Sequence, residues 1–338
     1  MANETMRAAV VPEPDGDLEV RERAIPQPEP GEVRIAVAAC GICGGDDVAR
    51  EGAPPVEYPR VPGHEIVGTV DAVGGDVTEW DEGDRVGVGW HGGHCFDCDA
   101  CRRGEFVHCE NGVVTGLHRD GGYAEYALAR REALAAVPDE LDDAAAAPLL
   151  CAGLTTFNAL RHSDACPGDL VAVVGIGGLG HLGVQYAHRA GFETVAVSRG
   201  AEKRAAALDL GADHYVDSEA VDPGAALRDL GGARVALVTA PSSDAVASVV
   251  DGLGADGEVL VVGSPEDPVP VDATQLVGTR GRVAGWASGT PSEAEDALAF
   301  SDLRDVVPAV ETFDLADAAE AYRQMSEGEV RFRAVLVP

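Results

Sequence analysis

Over the first 150 residues, apolar and polar positions alternate in short runs, as in Val33-Arg34-Ile35-Ala36-Val37 and Ile66-Val67-Gly68-Thr69-Val70. Turn residues punctuate these runs at Pro30-Gly31, Pro62-Gly63, Gly74-Gly75 and Glu82-Gly83-Asp84. A period of two between frequent Gly and Pro predicts a compact, mostly antiparallel β domain. Asp142-Asp143 then opens an alanine-rich stretch of helical character. From residue 169 the pattern changes to continuous apolar runs separated by helical stretches. The expected strands are 170–174, 194–197, 214–216, 235–239, 259–262 and 282–286, with helices near 181–190, 202–210 and 244–252. Continuous apolar strands alternating with helices predict an α/β chain with a doubly wound parallel sheet. The tail is expected to form a helix over 313–325 and a strand over 332–337 and to return to the first domain.

Composition fits two domains with a proper core, since 46% of the 338 residues are hydrophobic, but charge changes the picture. Asp and Glu number 58 against 25 Lys and Arg, a formal charge of −33, and Lys203 is the single lysine. The acids are spread along the chain rather than gathered in a tail, which suits solvation in concentrated salt, a halophilic composition. So acidic a surface repels phosphate backbones and anionic lipid, so neither nucleic acid nor membrane is an expected partner. No apolar run approaches the roughly 18 residues of a membrane span. Met1 to Arg7 offer no signal-peptide core, so a cytoplasmic location is expected.

Candidate chemistry sits in three places. Cys95-x2-Cys98-x2-Cys101-x7-Cys109 puts four thiols on one short loop, enough to enclose a tetrahedral zinc ion with no open position. The spacing alone also allows an iron–sulfur cluster, whereas disulfides are disfavoured without a secretory signal. The flanking His91, His94 and His108 read as loop residues. Gly175-Ile176-Gly177-Gly178-Leu179-Gly180 follows the apolar run Val171–Val174 and opens a helix, the strand–turn–helix setting of a dinucleotide-binding turn. In such a turn the backbone can approach a pyrophosphate at the helix N-terminus. An NAD site expects a carboxylate at the end of the second strand, but here stand Ser198 and Arg199, with Lys203 shortly after. A small hydroxyl and two cations suit a 2′-phosphate, so NADP(H) is expected over NAD(H), although Glu202 opposes the patch. The third place is Cys43, His64 and Cys151. They are too far apart in sequence for spacing to join them, and Cys40-Gly41-Ile42-Cys43 equally fits a redox dithiol.

These residues resemble a family. Cys40–Cys43, Pro62-Gly63-His64-Glu65, Gly83-Asp84-Arg85-Val86-Gly87, the four-cysteine loop, Asp120–Tyr126, Leu150–Thr156 and Gly175–Gly180 occur together and in order. The chain resembles, over essentially its whole length, the zinc-dependent alcohol dehydrogenases of the medium-chain dehydrogenase/reductase superfamily. The resemblance implies a GroES-like β-rich catalytic domain, 1–154 with 292–338, around a Rossmann domain, 155–291. It implies two zinc ions per subunit, a structural one on Cys95, Cys98, Cys101 and Cys109 and a catalytic one on Cys43, His64 and Cys151. Asp46 then orients His64, and Glu65 is an alternate ligand. Thr155, Val262, Gly263 and Trp286 would contact the nicotinamide half, Arg333 the pyrophosphate, and Trp90 would narrow the substrate pocket.

The implied reaction passes hydride between NADP(H) and a primary alcohol or aldehyde while zinc polarises the substrate oxygen. The runner-up is a polyol or sugar dehydrogenase; from another class, a zinc- and nucleotide-binding protein without turnover. One departure bears on this choice. The family's hydroxyl-and-histidine proton relay is missing from Cys43-Gly44-Gly45-Asp46-Asp47-Val48, where Gly45 and Val48 stand instead. Water in the gap left by Gly44 and Gly45, or His91, would replace it, and the gap would admit bulkier substrates. A homodimer or homotetramer is expected, through the strand at 282–286.

Overall fold

The structure, a computed structural model, describes residues 4–52 and 56–338. Residues 1–3, the start of the segment read for a signal peptide, and 53–55 lie outside the described residues. The chain divides into two units, one running up to Leu154 and resuming at Ser288–Pro338, the other Thr155–Ala287. The second stretch of the first unit begins at Ser288, whereas the expected boundary lay at 292.

In the first unit the long strand Glu32–Gly41 organises the sheet. Its burial alternates along most of its length, because successive side chains point to opposite faces. It pairs antiparallel with Ile66–Val73, with Tyr126–Arg130 and, at its end, with Arg333–Val337. Arg85–Val88 and Leu134–Ala136 extend the sheet on one side and Val310–Asp314 on the other. Val33, Ile35, Ile66, Val86, Tyr123 and Leu336 join one buried cluster. A hairpin of Thr5–Val10 and Glu19–Ala24 stands apart. So does the ribbon of His91–Gly93 and Val113–Val114, from which the four-cysteine loop projects.

The tail departs from the expected single helix over 313–325. Val310–Asp314 is a strand, Leu315–Asp317 a 3-10 turn and Ala318–Ser326 the helix. Val310, Thr312 and Phe313 are β-branched or aromatic and suit a strand, and Arg333–Val337 offers a parallel edge. Asp314 then caps the turn by accepting from the Ala316 N–H at 2.8 Å.

The second unit is a six-stranded parallel sheet in the order His214–Asp217, Glu193–Ser198, Leu170–Val174, Ala233–Val238, Leu253–Val261 and Arg282–Gly285. Numbered along the chain this is 3-2-1-4-5-6, the doubly wound order whose chain reversal leaves a crevice at the strand C-termini. Every residue of Leu170–Val174 is buried, as expected for a strand covered on both faces. The expected helix over 202–210 starts only at Arg204, because Gly200 turns the chain with φ of +67°. Among the described residues no helix is long and apolar enough to cross a membrane.

Candidate functional site

Strand, turn and helix deliver four ligand-type side chains to one place in the first unit. Cys43 follows strand Glu32–Gly41 as the N-cap of the 3-10 turn Gly44–Asp46. His64 and Glu65 immediately precede strand Ile66–Val73, and Cys151 lies on the π-helical turn Leu149–Gly153. Ligand atoms of Cys43, His64, Glu65 and Cys151 lie within 4.8 Å of one another. The Cys43 and Cys151 sulfurs are 4.0 Å apart. That is far beyond a disulfide bond and close to the spacing of about 3.8 Å that bonds of about 2.3 Å impose on a tetrahedral zinc. His64 Nε2 is buried and makes no hydrogen bond among the described residues. An orphaned imidazole nitrogen beside two thiols and a carboxylate fits a zinc ion. Cys40 is buried and is not one of these four ligand-type residues, and it forms no disulfide with Cys43, which does not favour the redox-dithiol reading.

Asp46 ties the ligand-bearing segments together. Its Oδ2 accepts from the Cys43 N–H at 3.0 Å, and its Oδ1 accepts from the Gly63 N–H at 3.2 Å and bonds His64 Nδ1 at 2.8 Å. Burial disfavours a charged imidazole, but the Asp46 carboxylate outweighs it and raises the His64 pKa well above the ordinary value. The Cys43 thiol is held well below its usual range, first by a hydrogen bond from Cys151 and then by His64.

Arg333, read as a pyrophosphate contact, bonds Glu65 within its own unit. Its buried guanidinium donates to Glu65 at 2.6 Å and 2.5 Å and to the Ile42 carbonyl at 3.0 Å. Burial raises the Glu65 carboxyl to about 7 against the pull of Arg333. All three bonds leave from one terminal nitrogen, while the buried Nε finds no partner among the described residues, and sequence gave no sign of a pair 268 positions apart.

The expected gap beside the metal ligands is only half present. A Cβ on Gly44 would meet nothing within 4 Å, but one on Gly45 would lie 3.0 Å from both His64 Cε1 and Trp90 Cζ3. Trp90 stands edge-on to His64, ring centroids 4.9 Å apart, and so fills the space at Gly45. His91, offered as a replacement relay, lies with Nε2 2.9 Å from His94 Nδ1. Its pKa falls to about 4, first through burial and then through His94.

Cys95, Cys98, Cys101 and Cys109 form the second group. Cys95–Cys101 and Cys98–Cys109 are 3.9 Å apart and Cys95–Cys109 3.5 Å, again metal-ligand rather than disulfide spacing. The Cys95 thiol is lowered to about 6 by hydrogen bonds from the Asn111 amide and from backbone N–H groups. His94 stacks on Phe106 at 4.1 Å and His108 is exposed, so neither joins the four sulfurs.

In the second unit a cavity of about 480 Å3 opens at the C-terminal ends of the central strands, lined by Gly175, Gly177, Gly178, Leu179, Ser198, Arg199 and Lys203. Gly175 turns with φ of +94°, and a Cβ on Gly180 would lie 1.7 Å from the Gly175 carbonyl oxygen. A Cβ on Gly177 would meet nothing within 4 Å, so the backbone lies open there to a ligand at the N-terminus of helix Gly180–Arg189. Thr239, Ala240, Pro241 and Ser242 also line the cavity and were not singled out from sequence. Their signal was their place directly after strand Ala233–Val238, where such sheets bind ligands. Thr155, Val262, Gly263 and Trp286, in the same unit, are not among its lining residues.

A thiol–imidazole metal site and a glycine turn at a sheet switch point define a metal-dependent, dinucleotide-using oxidoreductase. Residues 29–139 match the alcohol dehydrogenase GroES-like domain, and residues 178–302 match the zinc-binding dehydrogenases. The chain is 44% identical to alcohol dehydrogenase notN of Aspergillus sp. (strain MF297-2), over 98% of each chain. It is 40% identical to an alcohol dehydrogenase of Geobacillus stearothermophilus, again over 98% of each. Among solved structures, AibC superposes with a TM-score of 0.92 at 29% identity, covering 100% of this chain and 97% of that one. The chain belongs to the zinc-binding alcohol dehydrogenases of the medium-chain dehydrogenase/reductase superfamily. Zinc and a nicotinamide cofactor come with that membership.

Proposed function

We propose that the protein is an NADP(H)-dependent alcohol dehydrogenase that interconverts primary alcohols and aldehydes and acts as an aldehyde reductase when NADPH is plentiful. The observation that carries the cofactor choice is the cavity wall at the end of strand Glu193–Ser198, where Ser198, Arg199 and Lys203 stand. The carboxylate of Asp217, on the neighbouring strand, accepts from the Gly200 N–H at 2.9 Å and the Glu219 N–H at 3.0 Å. That acid is engaged by backbone, and a hydroxyl and two cationic side chains line the wall where a 2′-phosphate would stand.

The reading includes two zinc ions per subunit, a catalytic one held by Cys43, His64 and Cys151 and a structural one held by the four-cysteine loop. When bound, the catalytic zinc supplies a Lewis acid for the substrate oxygen, and the nicotinamide gives or accepts hydride. Asp46 keeps the His64 proton on Nδ1 and leaves Nε2 for the metal. Arg333 holds Glu65 as a reserve ligand. Trp90, packed against His64, limits the width of the substrate beside the ligands and disfavours hydroxyl-rich sugars.

A two-fold assembly through the sheet edge Arg282–Gly285, where Val283 is exposed, fits the same reading, as does a salt-rich cytoplasm for so acidic a chain. The test is initial rates at molar salt with NADPH and NADH against a panel of simple and aromatic aldehydes. Faster oxidation of NADPH supports the proposal, and a preference for NADH overturns the cofactor assignment.

A further inference from the structure

Tyr123 is fully buried, with a relative exposure of 0%. A phenol hydroxyl in that setting needs a partner, and it donates to Asp46 Oδ2 at 2.7 Å. This bond completes the carboxylate. Each oxygen of Asp46 now takes one backbone N–H and one side chain, Gly63 N–H with His64 on Oδ1 and Cys43 N–H with Tyr123 on Oδ2. The two backbone donors belong to a ligand and to the neighbour of another. Tyr123 comes from a different segment, 119–125, and so fixes the carboxylate against something outside the ligand turns.

We infer that Tyr123 is a positioning residue for the catalytic metal: its hydroxyl, acting through Asp46, holds His64 with Nε2 turned to the ion. Packing and hydrogen bonding are separable here. The ring is wedged beneath the turn at Gly63, whose φ is +100° and where a Cβ would lie 2.4 Å from Tyr123 Cδ1. A phenylalanine would fill the same space. Without the hydroxyl, Oδ2 keeps a single donor, and the buried carboxylate can rotate toward it and draw away from His64 Nδ1. The imidazole then loses its fixed aim, which is the part of a metal site that residues behind the ligands supply.

The inference rests on Cys43, His64 and Cys151 holding zinc. The experiment is zinc affinity by competition with a chromogenic chelator, together with the absorption spectrum of the cobalt-substituted protein, for wild type, Tyr123→Phe, Asp46→Asn and the double variant. The four-cysteine group serves as an internal control in each. In Tyr123→Phe, zinc at the Cys43 site is expected to bind about 10–100-fold more weakly, with the other site unchanged and the cobalt bands shifted. The double variant is expected to lose little beyond Asp46→Asn, because both act through one carboxylate. Unchanged affinity and spectrum in Tyr123→Phe, or losses that multiply in the double variant, would overturn the inference. A wild type that binds no metal at the Cys43 site would overturn the underlying reading as well. Should Tyr123→Phe not fold, monofluorotyrosine placed at position 123 keeps the ring and makes the hydroxyl a stronger donor. Shifted cobalt bands there support the inference, and bands identical to wild type overturn it.

Discussion

At Gly45 the missing side chain is a packing requirement rather than spare room. Any Cβ there would crowd His64 and Trp90 at 3.0 Å. Gly45→Ser therefore supplies a hydroxyl at the family's relay position without restoring a relay. We expect kcat/KM to fall about tenfold as His64 is displaced, and Gly45→Ser with Trp90→Ala to recover part of the loss. A Gly45→Ser variant faster than wild type would show that the site has room. His91 offers a second test. Its pKa of about 4 lies below the ordinary value of about 6.5, so the unfolded chain takes up that proton first. Stability from this group is therefore lost as pH falls through the window from about 6.5 to about 4, and unaffected above it. His91→Gln should lose less Tm than wild type between neutral pH and pH of about 4.5 in thermal scans; superimposable profiles would contradict this. The metal-ligand residue types were legible once their motifs appeared together. The Arg333–Glu65 pair and the Tyr123–Asp46 bond were not, because each joins segments that only the fold brings near.

Among elements, the glycine turn was the most legible, since apolar run, glycines and helix follow one another in a single segment. Its glycines are not equivalent. Gly177→Ala adds a methyl where only a ligand would stand, so NADPH affinity should drop by at least about tenfold, read by fluorescence titration, with Tm nearly unchanged. Gly180→Ala drives a methyl into the Gly175 carbonyl and should lower Tm as well as affinity. Equal Tm losses in both would argue against a ligand-facing role for Gly177. The tail strand Val310–Asp314 was hidden because its partner, Arg333–Val337, lies beyond an intervening helix, and local pattern alone ran the two elements together.

For the whole molecule, the formal charge of −33 sets a salt dependence. Raising salt from about 0.1 M to about 1 M shortens the screening length from about 10 Å to about 3 Å and relieves repulsion among dispersed carboxylates. Tm should rise by several degrees over that range in calorimetry; a flat or falling Tm would remove the halophilic reading. The change of texture near residue 143 and the parallel-strand pattern after it pointed to two units, but local pattern does not mark where the chain leaves the second, at Ala287 rather than 291. The proposed mechanism needs two metal centres with different work to do. The most direct measurement is zinc content per chain by mass spectrometry of the metal, for wild type and Cys151→Ser. Two zinc ions are expected in wild type and one in Cys151→Ser, which keeps its fold and loses turnover; a single ion in wild type, or the same content in both proteins, would contradict the two-centre mechanism.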